Sequence, residues 1–154
     1  MAENGNIETI HYLSLFRNMV DDKRRVQIPA KWRPSQPDVE FTLIQWPNGS
    51  ESCLLVLPPS KMNALSQKIE AMPFADSRAL ALRRLLGSNS ASASLDKAGR
   101  ICLPESLAKA VGIEIEKEAL LVGLLDRFEI WNPGRYEKIS AADTALLPEA
   151  LKLI

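Results

Sequence analysis

The chain has 154 residues, 19 Lys and Arg against 19 Asp and Glu, with 46% hydrophobic and 25% charged side chains. That length suits one domain or two small ones with a buried core, and the composition excludes a disordered chain. The longest uncharged stretch, Leu85 to Leu95, is about half serine and glycine and so too short and polar to span a bilayer. Zero net charge, taken over the whole chain, also counts against a dedicated polyanion binder.

In chain order, Met1 to Asn6 carries an acidic residue and no apolar run, which is not the pattern of a secretory signal. Val26 and Ile28 alternate with Gln27, the period of a half-buried strand, and a polar turn precedes them. The helix that would follow Pro29 is cut short, because Pro34 cannot continue it. Phe41 to Trp46 and Ser52 to Leu57 flank Pro47-Asn48-Gly49-Ser50, a hairpin signal with Asn-Gly at its tip. Ser60 to Met72 places Met62, Leu65, Ile69 and Met72 on one helical face. Asp76 or Ser77 N-caps a second helix running to Leu86 and stopped by Gly87.

Ser88 to Ser94 is low in complexity, yet its place before Leu95 makes it a lead-in strand whose small side chains permit close backbone approach. Ile101 and Leu103 alternate with Cys102, Pro104 starts a helix, and Gly112 ends it. Leu120 to Leu125 and Phe128 to Trp131 flank Asp126-Arg127 as a second hairpin. Ala141 to Ile154, with Leu146, Leu147, Leu151 and Ile154, reads as a terminal amphipathic helix packing on its own subunit or a neighbour, or docking a partner protein. Cys53 and Cys102 both sit in apolar runs and read as small buried hydrophobes, which fits a reducing cytoplasm.

Two segments repeat. Val20-Asp21-Asp22-Lys23-Arg24-Arg25-Val26-Gln27-Ile28-Pro29 and Leu95-Asp96-Lys97-Ala98-Gly99-Arg100-Ile101-Cys102-Leu103-Pro104 share apolar, Asp, three residues, Arg, apolar, any, apolar, Pro, at an offset of 75. The echo continues from Phe41–Ile44 to Ala119–Val122 and from Cys53–Leu57 to Arg127–Trp131. A two-unit repeat is too few for a solenoid and suits a pseudo-symmetric pair. The expected fold is mainly β with short helices (α+β). Its units are residues 12–60 and 88–140, joined by helices over 61–87 and followed by a tail over 141–154.

Charge tracks this duplication. Residues 17 to 33 hold Arg17, Lys23, Arg24, Arg25, Lys31 and Arg33 against Asp21 and Asp22, a local net of +4. Residues 78 to 104 hold Arg78, Arg83, Arg84, Lys97 and Arg100 against Asp96, again +4. Neutrality is therefore two basic segments offset by acidic surroundings.

The chemistry of an enzyme is hard to assemble from this sequence. The single histidine, His11, is far in sequence from either cysteine, and there is no Cys-x-x-Cys, His-x-x-x-His or glycine-rich phosphate loop. Asp21 and Asp96 each precede by four residues an arginine that keeps them ionised, and a permanently charged carboxylate is a poor proton shuttle at neutral pH. No cofactor, metal or small-molecule ligand is implied. The Asp-x-x-x-Arg unit instead reads as turn architecture: the carboxylate accepts backbone N–H groups of the turn and orients the guanidinium that begins the return strand. Lys23 and Arg24, or Lys97, project between them. Arginine suits bidentate contact with phosphate or guanine, and lysine serves as a point charge.

These residues resemble the MraZ family, bacterial transcriptional regulators of the AbrB/SpoVT-like class. The hallmark is two copies of a segment like Leu-Asp-x-Lys-Gly-Arg-hydrophobic-x-hydrophobic-Pro, here Val20–Pro29 and Leu95–Pro104. Val122 to Trp131 and Arg83 to Ser88 also look like family segments, and the likeness runs from about Tyr12 to Ile139. The resemblance implies two tandem swapped-hairpin β-barrel lobes, and subunits closing into a homo-oligomeric ring. It implies binding to short direct repeats upstream of division and cell-wall genes, in the cytoplasm at the nucleoid and away from membranes. The DNA-contacting arginine of the first copy corresponds to Arg25, with Lys23 beside it. Arg24, Lys31, Arg33, Lys97 and Arg100 complete the candidate DNA-binding set, and Asp21 and Asp96 are its structural members.

Three positions depart from the pattern. Arg24 replaces the glycine that Gly99 keeps, Ala98 replaces the second lysine, and Ser14 stands where a glycine is usual. If position 24 needs positive φ, Arg24 carries strain of about 1 kcal/mol or more while adding a cation. Residues 1–11 form an extension without an assigned use. Two alternatives remain at this point: a structural or protein-interaction ring whose Asp-x-x-x-Arg units are purely architectural, and an antitoxin-like DNA binder with a partner protein.

Overall fold

A computed structural model describes residues 9–154; the reading of Met1 to Asn6 lies outside the described residues. Eight strands and four α-helices follow in the order β1 (Leu15–Met19), β2 (Arg25–Gln27), β3 (Glu40–Asn48), β4 (Glu51–Leu57), α1 (Pro59–Glu70), α2 (Ser77–Ser88), β5 (Ser90–Ser94), β6 (Arg100–Cys102), α3 (Glu105–Ala110), β7 (Glu118–Gly123), β8 (Phe128–Trp131) and α4 (Pro133–Ala150). A single 3-10 turn, Ala30–Trp32, stands where unit two has α3, as Pro34 dictates.

Six strands form one antiparallel sheet in the order β1-β7-β8-β4-β3-β5, and β2 and β6 form a separate two-stranded ribbon. Exchanging the units (β1 with β5, β3 with β7, β4 with β8) reads the same order backwards, so the sheet has a pseudo-two-fold axis between β4 and β8. Each lead-in strand pairs with the other unit: β1 with β7 and β5 with β3. This is a swapped arrangement of tandem β lobes, mainly β with helices packed outside, as expected.

Strand periodicity explains the layers. Phe41, Leu43, Leu54, Val56, Ala119, Leu121, Phe128 and Ile130 point to one face and join Val26, Ile28, Trp32, Ile101 and Leu103 of the ribbon side in the main core. Their neighbours point the other way. Ile44, Leu55 and Leu57 meet Met62, Leu65, Ile69 and Met72 of the α1 segment with Leu82 and Leu86 of α2, on the helical face expected from spacing. Cys53, Leu120, Val122 and Trp131 meet Tyr136 and Ile139 of α4. With both faces covered, β4 and β7 are almost continuously apolar.

Several boundaries differ from expectation. The first hairpin turns at Gly49-Ser50, because Gly49 takes φ +64 while Asn48 still pairs with Glu51. Pro47 is tolerated where β3 has β4 as its only strand partner among the described residues, since the β5 register ends at Ile44. The second hairpin is longer: β7 ends at Gly123, and Leu125 turns with φ +74. Helix α2 continues through Gly87 to Ser88, with Asp76 as the N-cap accepting from the Arg78 N–H at 2.9 Å. Ser90–Ser94 is the expected lead-in strand.

Ala141 to Ala150 is no separate helix but the second half of α4. It does not dock on its own subunit: residues 141–154 are exposed throughout, with Leu146 at 62% and Leu151 at 60%. Cys53 is buried, but Cys102 is exposed, correcting the buried reading. The two-residue period that buries Ile101 and Leu103 turns Cys102 outward.

Candidate functional site

The two Asp-x-x-x-Arg turns have one geometry. After β1, Asp21 Oδ1 accepts the backbone N–H groups of Lys23 (2.9 Å) and Arg25 (2.8 Å), while Oδ2 accepts Nε of Arg25 at 2.7 Å. After β5, Asp96 Oδ1 accepts the N–H groups of Ala98 and Arg100, both at 2.9 Å, and Oδ2 accepts Nε of Arg100 at 2.9 Å. Backbone donation from Arg25 is the chief cause holding the Asp21 carboxyl below its usual value, joined by the side-chain bond; Arg100 does the same for Asp96. The hydrogen bond to Asp21 in turn raises Arg25. Both carboxylates are thus ionised structural anchors.

Ribbon pairing sets these turns side by side. β2 and β6 align Arg25 with Cys102, Val26 with Ile101 and Gln27 with Arg100. The Leu103 N–H donates to the Arg24 carbonyl (2.8 Å) and the Ile28 N–H to the Gly99 carbonyl (2.9 Å), so each unit ties down the other's turn. Side chains repeat the exchange: Gln27 Nε2 donates to the Ala98 carbonyl at 2.6 Å, and the Cys102 thiol to the Lys23 carbonyl at 3.4 Å. Arg100 Nη1 also lies 3.7 Å from Asp21 Oδ2, linking the two clamps.

Position 24 does need positive φ: Arg24 has φ +59 and Gly99 φ +81. The left-handed conformation costs a side-chain-bearing residue about 1–2 kcal/mol. Ser14, the other departure from glycine, likewise sits at φ +85. At Gly99 the space beside the α-carbon is filled by Arg33, whose Nη1 lies 2.7 Å from where a Cβ would be and whose Nε donates to the Ile28 carbonyl at 2.8 Å.

Of the residues singled out from sequence, the structure brings together Asp21, Lys23, Arg24, Arg25, Arg33, Asp96, Lys97 and Arg100. Lys23 and Lys97 are exposed at the two tips. Lys31 is exposed on the 3-10 turn and takes no part in the clamps. The second basic segment is less concentrated than its charge count: Arg78, Arg83 and Arg84 belong to α2, with Arg78 paired to Asp76 and Arg83 over the Phe74 ring. Arg17 pairs with Glu118 across β1 and β7. Sequence reasoning missed the Gln27 and Cys102 clasps, although the 75-residue offset makes these two residues equivalent and flags them as a pair.

A cavity of about 900 Å3 lies apart from the turns, bounded by Ile10, Tyr12, Val39, Phe41, Pro58 and Leu125. Among the described residues no group of three or more His, Cys, Asp or Glu side chains is arranged to hold a metal ion. No described helix is long and apolar enough to cross a membrane.

The sequence is similar to those of known proteins. The family described as "MraZ protein, putative antitoxin-like" matches residues 88–150. A protein of Roseiflexus castenholzii called "Transcriptional regulator MraZ" is 31% identical over 132 residues, 85% of this chain and 87% of its own. Proteins of the same description from Moorella thermoacetica and Symbiobacterium thermophilum are 32% and 35% identical, covering 82% and 81% of this chain and 85% and 86% of theirs. Likeness at this level covers more than four fifths of the chain, and the chain belongs to the MraZ family.

Proposed function

We propose that this protein is a DNA-binding transcriptional regulator that reads short direct repeats through its two clamped turns, as a homo-oligomeric ring in the cytoplasm at the nucleoid. The observation that carries it is the β2–β6 pairing, which brings the two clamped, lysine-bearing turns together. Rigid turns lose little entropy on binding, and a phosphate-lined duplex matches paired cations. Arg25 engages Asp21 through Nε, and that contact does not use its two Nη groups. Lys23 contributes only its backbone to the clamp, so its ammonium is a free point charge for a phosphate. The names of the relatives support regulation of transcription, and the family resemblance supports division and cell-wall genes as targets. A ring would multiply a weak contact per subunit into avidity.

The test is binding to the DNA immediately upstream of the chain's own gene, followed against salt. Lys23→Ala and Arg25→Ala each weaken binding and lower the log–log salt slope by about 0.9 for every phosphate the variant no longer neutralises. Lys23→Ala leaves the Asp21 clamp intact, so an unchanged slope in that variant removes the turn from the interface. The second reading, a ring without DNA, draws on the same clamp, because ion pairing of Arg25 and Arg100 satisfies an architectural role by itself. It predicts no retardation of DNA at low salt by the assembled oligomer.

A further inference from the structure

Pseudo-symmetry exposes an exchange between four residues. At turn two, Gly99 has no side chain, and the Arg33 guanidinium of unit one lies against its α-carbon. The 75-residue offset makes Arg24 equivalent to Gly99 and Ala108 equivalent to Arg33. By the same equivalence turn one is the inverse: the turn residue carries the guanidinium, and the position in the opposite unit that corresponds to Arg33 is a buried alanine. Each turn and its cover share one guanidinium, placed on opposite members of the pair.

Arg24 behaves as a side chain occupying the covering site. Its Nε is buried without a hydrogen-bond partner. It also lies near α3, the helix carrying Ala108: Glu105 is held below its usual value first by its hydrogen bond and ion pair with Lys109, then by the charge of Arg24. Arg33 and Lys97, for their part, line one cleft of about 270 Å3 together with Gly99. Tip one thus carries Lys23 and Arg24 beside Asp22, and tip two carries Lys97, at the position of Asp22 in the first turn, with Arg33 against Gly99. In sequence the second tip looks poorer, reading Lys97-Ala98-Gly99.

We infer that Arg33 is the guanidinium of the second turn, supplied across the pseudo-dyad, so that both turns offer a lysine and a guanidinium to phosphate despite the unequal sequences. This rests on the DNA reading of the turns. The glycine at 99 is then required by Arg33 as much as by φ, and Arg24 is accommodated because Ala108 leaves its cover empty.

The experiment combines the upstream duplex with unfolding midpoints. Arg33→Ala and Arg24→Ala each lower the salt slope by about 0.9, and Arg33→Lys keeps it, since a point charge suffices for phosphate. Transplanting the unit-two arrangement into unit one, as Arg24→Gly with Ala108→Arg, recovers the slope that Arg24→Gly alone loses. An unchanged slope in Arg33→Ala, or no recovery in the double variant, overturns the inference. The fold provides an independent arm. Ala108→Arg lowers the midpoint in the native background, where Arg24 fills the space, by about 3 °C or more beyond its effect in the Arg24→Gly background. Equal loss in both backgrounds, including failure to fold in both, overturns the exchange. Absence of DNA binding by the unaltered protein refutes the DNA reading instead, and the midpoint arm still decides the exchange.

Discussion

The carboxylates of this chain divide by what surrounds them. Asp21 and Asp96 accept backbone and guanidinium donors and stay ionised, which suits anchors that hold a turn in one conformation. Glu129 is the opposite. On β8 it faces outward with Trp131, beneath α4, and burial is the main cause raising it above its usual value. Its Oε1 accepts the Trp131 indole N–H at 2.7 Å, and the Cys53 thiol beside it is pushed up by burial and so stays protonated. Because the folded state raises this acid, folding favours its neutral form relative to the unfolded chain. The associated stability is full below the unfolded carboxylate value and is lost as pH rises through the folded one. Glu129→Gln keeps an oxygen for Trp131 and removes the ionisation. We expect its midpoint, relative to the native chain, to improve more at pH 8 than at pH 4. An equal difference at both values would show that ionisation of this group carries no cost.

At the scale of elements, close backbone approach decides which glycines matter. Gly123 ends β7 where the lead-in to β1 crosses it: the Tyr12–Leu125 bridge forms there, and a Cβ would collide with the Tyr12 carbonyl group, whose carbon lies 2.7 Å away. Gly87 lies inside α2 with nothing within 4 Å of an added Cβ. Gly123→Ala is expected to destabilise by about 1–3 kcal/mol through overpacking. Gly87→Ala is expected to stabilise by about 0.5–1 kcal/mol through helix propensity. Urea unfolding of both variants checks the pair, and the same sign in both would contradict the division. The contrast also marks what was legible in sequence. The strand runs, the face of α1 and the Asp76 cap follow from local periodicity and were readable. Gly87 as a helix stop was not, because a glycine ends a helix only where the chain must turn left-handed. Asp21 and Asp96 were readable as turn anchors because donor and acceptor are four residues apart. The Arg33–Gly99 contact was not, because it joins residues far apart in sequence whose meeting depends on the ribbon pairing.

For the whole molecule, the repeats are visible in sequence but their interdependence is not. Tyr12 and Trp32 of unit one stack with Phe128 of unit two, Trp32 and Phe128 having ring centroids 4.9 Å apart, and Phe16 meets the Trp32 ring edge-on. Among the described residues β1 has β7 as its only sheet neighbour, and β5 has β3. A unit taken alone keeps one hairpin and loses the partners of its lead-in strand and ribbon strand, and an isolated hairpin is marginal in water. Chains cut between α1 and α2, residues 1–74 and 75–154, should therefore show no cooperative unfolding separately and recover it when mixed. Self-pairing of each half is the natural competitor, since the units are pseudo-equivalent. The guanidinium exchange disfavours it: two copies of unit one would bring Arg33 against Arg24 at both turns, and two copies of unit two would leave Gly99 facing Ala108 at both. Like charges forced together or unfilled space weaken either homodimer against the mixed pair. Sedimentation of the separate and mixed fragments, with thermal unfolding, should find the 1:1 complex the most stable species. A half that pairs with itself as stably as with its counterpart would show that the asymmetry of the two turns has no part in holding the chain's halves together.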